Sequence, residues 1–276
     1  MASKHGNTKT LGPVSSFLIA ELKKSGKNIF GIKEAQSILK KNENAAADLL
    51  SELVKREILL RLKSGLFLII PLEAGSNYLE NRYIVARELI AAKDYYISHY
   101  SAMALHGMTT QPVLKVFTTA AKREKNRLIS GLEFIFIYSQ PKNLFGIEDK
   151  WITKQEKIRI SDLEKTIIDA LVRPELCGGV AEIAKGIWLI KDRINFPRLI
   201  TYCKKIKVKA VAKRLGFILQ ELNLGDGTAL KLQDYVKRSL SYVLLDPVLK
   251  KQGKYLKQWR LRINFNPEEL KSIIWA

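Results

Sequence analysis

Between residues 14 and 70 the apolar side chains change their spacing, and this change restricts the N-terminal third to one kind of unit. Phe17, Leu18, Ala20 and Leu22 recur at helical spacing in 14–24, and Gly26 is a stop. Ile32, Ala35, Ile38 and Leu39 repeat that spacing in 31–40, as do Ala46, Leu49, Leu50, Leu53 and Val54 in 44–57. Lys41, Asn42 and Glu43 make the tight turn between these two runs. The pattern then becomes extended. Residues 58–61 and 66–70 are apolar-rich runs around Lys63, Ser64 and Gly65, a hairpin for which Gly65 supplies the turn. Pro71 closes the unit. Three short helices followed by a β-hairpin is the order of a winged helix-turn-helix.

The rest of the chain alternates. Residues 78–92 read as an amphipathic helix inside a connector spanning 78–94. Beyond it, 95–97, 114–118, 132–138 and 157–160 read as strands, and 100–105 as a helix ending at Gly107. Ser161 with Glu164 three residues later forms a capping-box pattern that opens a helix through 171. Further helices are expected at 180–190, 196–206, 209–222 and 229–239, a strand at 259–265 and a last helix at 267–274. Residues 1–13 are polar and read as frayed. The expected class is α+β: a winged helix-turn-helix over 1–77, the connector, and a mixed α+β domain over 95–276 with a helical C-terminal part.

Charge limits the partners. The 47 lysines and arginines against 27 acidic residues give a net charge of +20. Only +5 of this falls in residues 1–90, and +15 lies beyond. Such an excess suits an anionic partner. No apolar run reaches the ~18 residues of a membrane span, and the first residues carry no apolar leader. A cytoplasmic protein without a membrane partner is expected. Two cysteines, Cys177 and Cys203, and three histidines argue against a disulfide framework, a zinc site or another cofactor.

On the third helix, Asn44, Asp48, Ser51 and Lys55 follow at i, i+4, i+7 and i+11, opposite the leucine stripe. In a recognition helix they face the major groove. There asparagine pairs with adenine, serine with several bases, and aspartate accepts from cytosine N4, although Asp48 also repels phosphates. Lys40 and Lys41 in the turn and Arg61 and Lys63 in the wing are the expected phosphate clamps. Singly, each lysine reads as a solvated charge; as a set around one helix they favour binding.

The basic density is higher further on. Residues 193–214 hold eight cations and no acid, among them Arg198, Lys204, Lys205, Lys207, Lys209, Lys213 and Arg214. On one continuous helix, Lys205, Lys209 and Lys213 would form a ridge for DNA or an acidic protein. A second group, Lys250, Lys251, Lys254, Lys257, Arg260 and Arg262, is interleaved with Tyr255 and Trp259. Catalytic patterns are poor. His99 has no acid near it in sequence, His106 reads as a helix C-cap, and Asp162 and Asp169 lack a third metal ligand. There is no phosphate loop, and no enzyme is expected.

Three segments carry a family resemblance: 96–111 with Ser98, His99, His106 and Gly107; 160–169 with Ser161, Asp162, Glu164 and Asp169; and 173–179 with Pro174, Cys177 and Gly179. In this order, with Asp246-Pro247 and Trp259–Asn264 after them, they resemble the AbiE-type antitoxins (AbiEi family), the regulators of type IV toxin–antitoxin systems. The resemblance covers nearly the whole chain. It implies a repressor that binds operator repeats of its own operon through the winged helix. It also implies that the C-terminal domain counters a nucleotidyltransferase toxin, without a stable complex in some members, in a phage-resistance setting. The competing reading is an RNA-binding protein or tRNA-directed enzyme that uses the basic C-terminal half.

Overall fold

The structure is a computed structural model that describes residues 11–71, 73–74, 78–266 and 268–272. Residues 1–10 and the end of the expected last helix, 273–274, lie outside the described residues. The chain forms two compact units. One contains residues up to Ala91 with Leu128–Leu132, and the other Ala92–Arg127 with Glu133 onward. Both mix helix and sheet, so the chain is α+β. Among the described residues no helix is long and apolar enough to cross a membrane.

The first unit runs α1 (Pro13–Lys24), β1 (Ile29–Gly31), α2 (Ile32–Leu39), α3 (Glu43–Lys55), β2 (Leu59–Lys63), β3 (Leu66–Ile69) and α4 (Arg82–Ile90). Pro13 stands in the first turn of α1, where its missing N–H would have no partner in any case. Leu18 and Leu22 bury their side chains, but Phe17, expected on the same face, is 52% exposed. Those two leucines meet Phe30, Ala35, Leu50, Leu53, Ile58, Leu59, Phe67 and Ile69 in one core. The three strands pair antiparallel in the order β1-β3-β2, with Arg61 opposite Phe67 and a register irregularity before Lys63. Gly65, at φ +70°, makes the hairpin turn, and its carbonyl accepts from Ile32 N at 2.9 Å, which ties the tip to the start of α2. The expected connector helix is shorter than its pattern. It is the nine-residue α4, and Ile84, Val85, Ala86, Leu89 and Ile90 on it are all buried.

After Ala91 come β4 (Tyr95–Ile97), α5 (His99–His106), β5 (Lys115–Ala120), β6 (Arg127–Ile129), β7 (Leu132–Tyr138), β8 (Ile147–Trp151) and β9 (Lys157–Ser161), of which Leu128, Ile129 and Leu132 fall in the first unit and the rest in the second. The sheet order is β6-β7-β5-β4-β9-β8. Strand β4 is antiparallel to β5 and parallel to β9, β5 is parallel to β7, and β8 is antiparallel to β9. Then come α6 (Leu163–Val172), α7 (Val180–Leu189), α8 (Phe196–Lys205), α9 (Lys209–Glu221) and α10 (Thr228–Val236). A small sheet follows, made of β10 (Val243–Leu244), β11 (Lys254–Leu256) and β12 (Leu261–Ile263), before α11 (Glu268–Ser272). The core gathers Ile167, Ile168 and Leu171 of α6 with Ile183 and Ile187 of α7, Leu215 and Ile218 of α9, and Trp259.

Two caps differ from the sequence reading. The N-cap of α6 is Asp162, whose carboxylate accepts from Lys165 N at 2.8 Å, one residue later than Ser161. The Glu164 carboxylate does not turn back on the cap and instead accepts from Asn195 N at 2.8 Å. Gly107, not His106, ends α5 with a left-handed φ of +75°.

Candidate nucleic-acid interface

Helix α3 starts one residue before the expected position and stops at Lys55. Asn42 caps it, accepting from Ala45 N at 2.9 Å. Lys40 closes α2 in the left-handed region at φ +51°, so α2 and α3 are joined by three residues that carry Lys40 and Lys41 at the surface. Ala46, Leu50 and Leu53 turn into the core. On the other side, Asn44, Asp48, Ser51 and Lys55 are all exposed, so the four residues share one solvent face. Glu43 and Glu52 are exposed near them. With Glu43, Asp48 and Glu52 against Lys55, the helix itself carries a net charge of −2, and positive charge sits on its flanks, at Lys40, Lys41 and the exposed Arg61 of β2.

Lys63 departs from the expected role. It is only partly exposed, and its ammonium donates to the carbonyl of Leu89 in the last turn of α4. Helix ends leave such carbonyls without an intrahelical donor, so Lys63 serves as a cap for α4 instead of an outward clamp.

The expected ridge in 193–214 does not form. Lys205 ends α8, Lys207 breaks the helical path with φ +58°, and Lys209 begins a separate helix, α9. Residues 211–219 are buried on every face of α9. Lys213 is 0% and Arg214 7% exposed. Lys213 donates to Ser241 O, and Arg214 to Leu171 O (2.9 Å), Leu245 O (3.0 Å) and Leu244 O (3.2 Å). Burial lowers the pKa of Lys213. These two cations are internal fasteners. The others in the set stay exposed. Lys205 lies 4.3 Å above the Phe145 ring, Lys209 caps the Tyr235 ring and donates to its carbonyl at 2.9 Å, Lys204 lies 5.9 Å from the same ring, and Arg198 faces Glu164 at 3.5 Å.

The acidic side chains of α6 are committed elsewhere. Asp169 accepts from the buried Lys165 ammonium and from Tyr96 Oη at 2.9 Å. Asp162 accepts from Tyr202 Oη at 2.9 Å as well as capping the helix. Among the described residues no group of three or more His, Cys, Asp or Glu is placed to hold a metal. Burial pushes the Cys203 thiol up to about 12 and raises Cys177 well above its ordinary value, so neither supplies a thiolate near neutral pH.

One feature of the second unit was only half visible in the sequence. Trp259, placed there among surface cations, is fully buried, and its indole N–H donates to Gln220 Oε1 at 3.0 Å. Its ring lies against Gly216, where a Cβ would come within 2.1 Å of it. A glycine inside a helical pattern marks such close approaches. Tyr242, not singled out from sequence, lies with its ring 5.0 Å from that of Tyr255.

No family model matches the chain, and no curated protein sequence matches it. Among solved structures it is similar to the crystal structure of the RV2827C protein from Mycobacterium tuberculosis. The two share 13% identity with a TM-score of 0.70, over 100% of this chain and 99% of that one. At this identity the likeness shows a common fold along the whole chain.

Proposed function

We propose that the chain is a DNA-binding autorepressor and antitoxin of a type IV toxin–antitoxin system, and that its first unit is a winged helix-turn-helix with α3 as the recognition helix. The observation that carries the DNA half is the exposed face of Asn44, Asp48, Ser51 and Lys55, flanked by the cations Lys40, Lys41 and Arg61. Asn44, Asp48 and Ser51 are side chains that suit reading base edges, and the flanking cations suit contacting phosphates and offset the acids of α3. The hairpin is tied to α2 through Gly65 O, which holds the wing beside the helix pair it would work with. The antitoxin half rests on the ordered resemblance of segments 96–111, 160–169 and 173–179 to the AbiE-type antitoxins. On this reading the partners are operator repeats and a nucleotidyltransferase-like toxin, and the protein works in the cytoplasm without catalysing a reaction.

The test has two arms. Full-length protein is titrated into a labelled fragment of its operon's promoter and into a scrambled duplex of equal length, and the protein is co-expressed with the toxin. The reading expects preferential retardation of the promoter and restored growth. Equal retardation of both duplexes removes the repressor, and growth arrest despite expression removes the antitoxin.

A further inference from the structure

Residues 237–262 carry eight basic side chains and one acidic one, Asp246. Asp246 is 4% exposed, and its carboxylate accepts from Val180 N at 2.7 Å and Val248 N at 2.9 Å. The solvent face of this segment therefore presents cations without a carboxylate.

The small sheet orders these cations around two tyrosine rings. Its strand order is β10-β12-β11, and the register aligns Leu244, Arg262 and Tyr255 across the three strands. Leu261, on the alternate face of β12, is fully buried, so the face with Arg262 points outward. Tyr255 is 63% exposed, and Tyr242 is also exposed. The two rings meet edge to face at 82°. The Arg262 guanidinium lies 5.4 Å from the Tyr255 ring and that of Arg260 5.5 Å from the Tyr242 ring. Lys250, Lys251, Lys254 and Lys257 of the same segment are exposed, Lys254 on the face of β11 opposite to Tyr255. An open groove of about 860 Å³, lined in part by Tyr255, Leu256, Ile263 and Phe265, runs beside it.

Buried groups hold the platform from beneath. Lys213 and Arg214 grip the carbonyls of Ser241, Leu244 and Leu245, and Asn264 Nδ2 donates to Asp246 O at 2.6 Å and Lys250 O at 3.2 Å. The rings are thus presented on a braced surface, which lowers the ordering cost of anything that stacks on them.

We propose that this sheet face binds single-stranded nucleic acid, with bases stacked on Tyr255 and Tyr242 and the phosphate backbone tracked by Arg260, Arg262 and the exposed lysines of the segment. Exposed tyrosines, each with a guanidinium over its ring, match unstacked bases, which offer π-faces to ring or guanidinium alike. A duplex keeps its base faces inside the stack, and an acidic protein would use the cations but leave the rings idle. The site belongs to the second unit and does not depend on the repressor reading.

The experiment measures binding of a labelled oligo-uridine and an oligo-thymidine of about twenty nucleotides to the full-length chain by anisotropy, with a duplex as comparison. Tyr255→Leu is expected to weaken single-strand binding about tenfold, and Tyr255→Phe to stay within about twofold of the parent. Duplex affinity is expected to be the same for all three proteins. Lys250→Gln with Lys251→Gln should reduce the log–log salt slope by about 1.4, at about 0.7 for each phosphate no longer neutralised. Parent-level binding by Tyr255→Leu, or equal weakening in the Leu and Phe variants, overturns the stacking site. Displacement of the oligonucleotide by poly-glutamate as readily as by unlabelled strand overturns it in favour of an acidic protein partner. Failure of promoter binding by α3 would leave all these readings unchanged.

Discussion

His99 opens α5 at φ +51°, almost fully buried, with Nδ1 2.9 Å from Ser98 Oγ. Burial lowers its pKa from 6.5 to about 4; Lys165 and Arg173 push in the same direction, while Asp169 and Glu175 oppose them. The native state therefore holds this ring neutral where the unfolded chain protonates it. Its stabilising contribution is complete above pH 6.5, declines as the pH falls towards 4, and changes little below that. The full loss is at most about 3 kcal/mol. His106, also lowered by burial, acts in the same direction. Urea midpoints measured from pH 7 down to 4 should fall, and His99→Asn, a residue that tolerates positive φ, should flatten the curve. A parallel curve for the variant would place the pH dependence elsewhere. At Gly216 the matter is volume. Gly216→Val should destabilise the second unit by about 1–3 kcal/mol in a denaturant titration, because the Trp259 ring occupies the space a side chain would need.

At the scale of elements, the proposed function gives α3 the reading of bases and its flanks the clamping of phosphates. Charge reversal at Lys40, Lys41 and Arg61 together should abolish promoter retardation while leaving far-UV circular dichroism unchanged, since all three are exposed. Retained affinity would remove the flanks from the interface. Much of this element was legible, because the apolar stripe of Ala46, Leu50 and Leu53 leaves only one face for Asn44, Asp48, Ser51 and Lys55. Lys63, Lys213 and Arg214 were not legible. A long cationic side chain looks the same in sequence whether it reaches into water or towards a carbonyl, and the carbonyls of Leu89 and Ser241 come from elements 26 and 28 residues away. Strand β8 escaped notice because Glu148, Asp149 and Lys150 fill its middle and no alternation marks it. Lys213→Ala should destabilise the fold by about 1–3 kcal/mol by leaving Ser241 O without its donor, whereas Lys205→Ala on the surface should stay within about 0.5 kcal/mol. Equal effects at the two positions would contradict the division between fastener and surface charge.

For the whole molecule, the net +20 is spread unevenly, with +5 before residue 91 and +15 after it. A repressor that relied on its first unit alone would leave most of that charge without work. The two proposals assign it to two surfaces: α3 for base edges in duplex DNA, and the tyrosine–arginine sheet for single strands. The central claim is that α3 reads sequence. Its most direct test is a competition gel shift comparing the operon's promoter with a scrambled duplex, using the full-length parent and the Asn44→Ala, Ser51→Ala double variant. Base contacts discriminate by about 1–3 kcal/mol each and phosphate contacts do not discriminate. The ratio of promoter to scrambled affinity is predicted to fall at least about tenfold in the variant, with scrambled affinity unchanged. An unchanged ratio, with both duplexes bound as by the parent or both weakened alike, would contradict the claim.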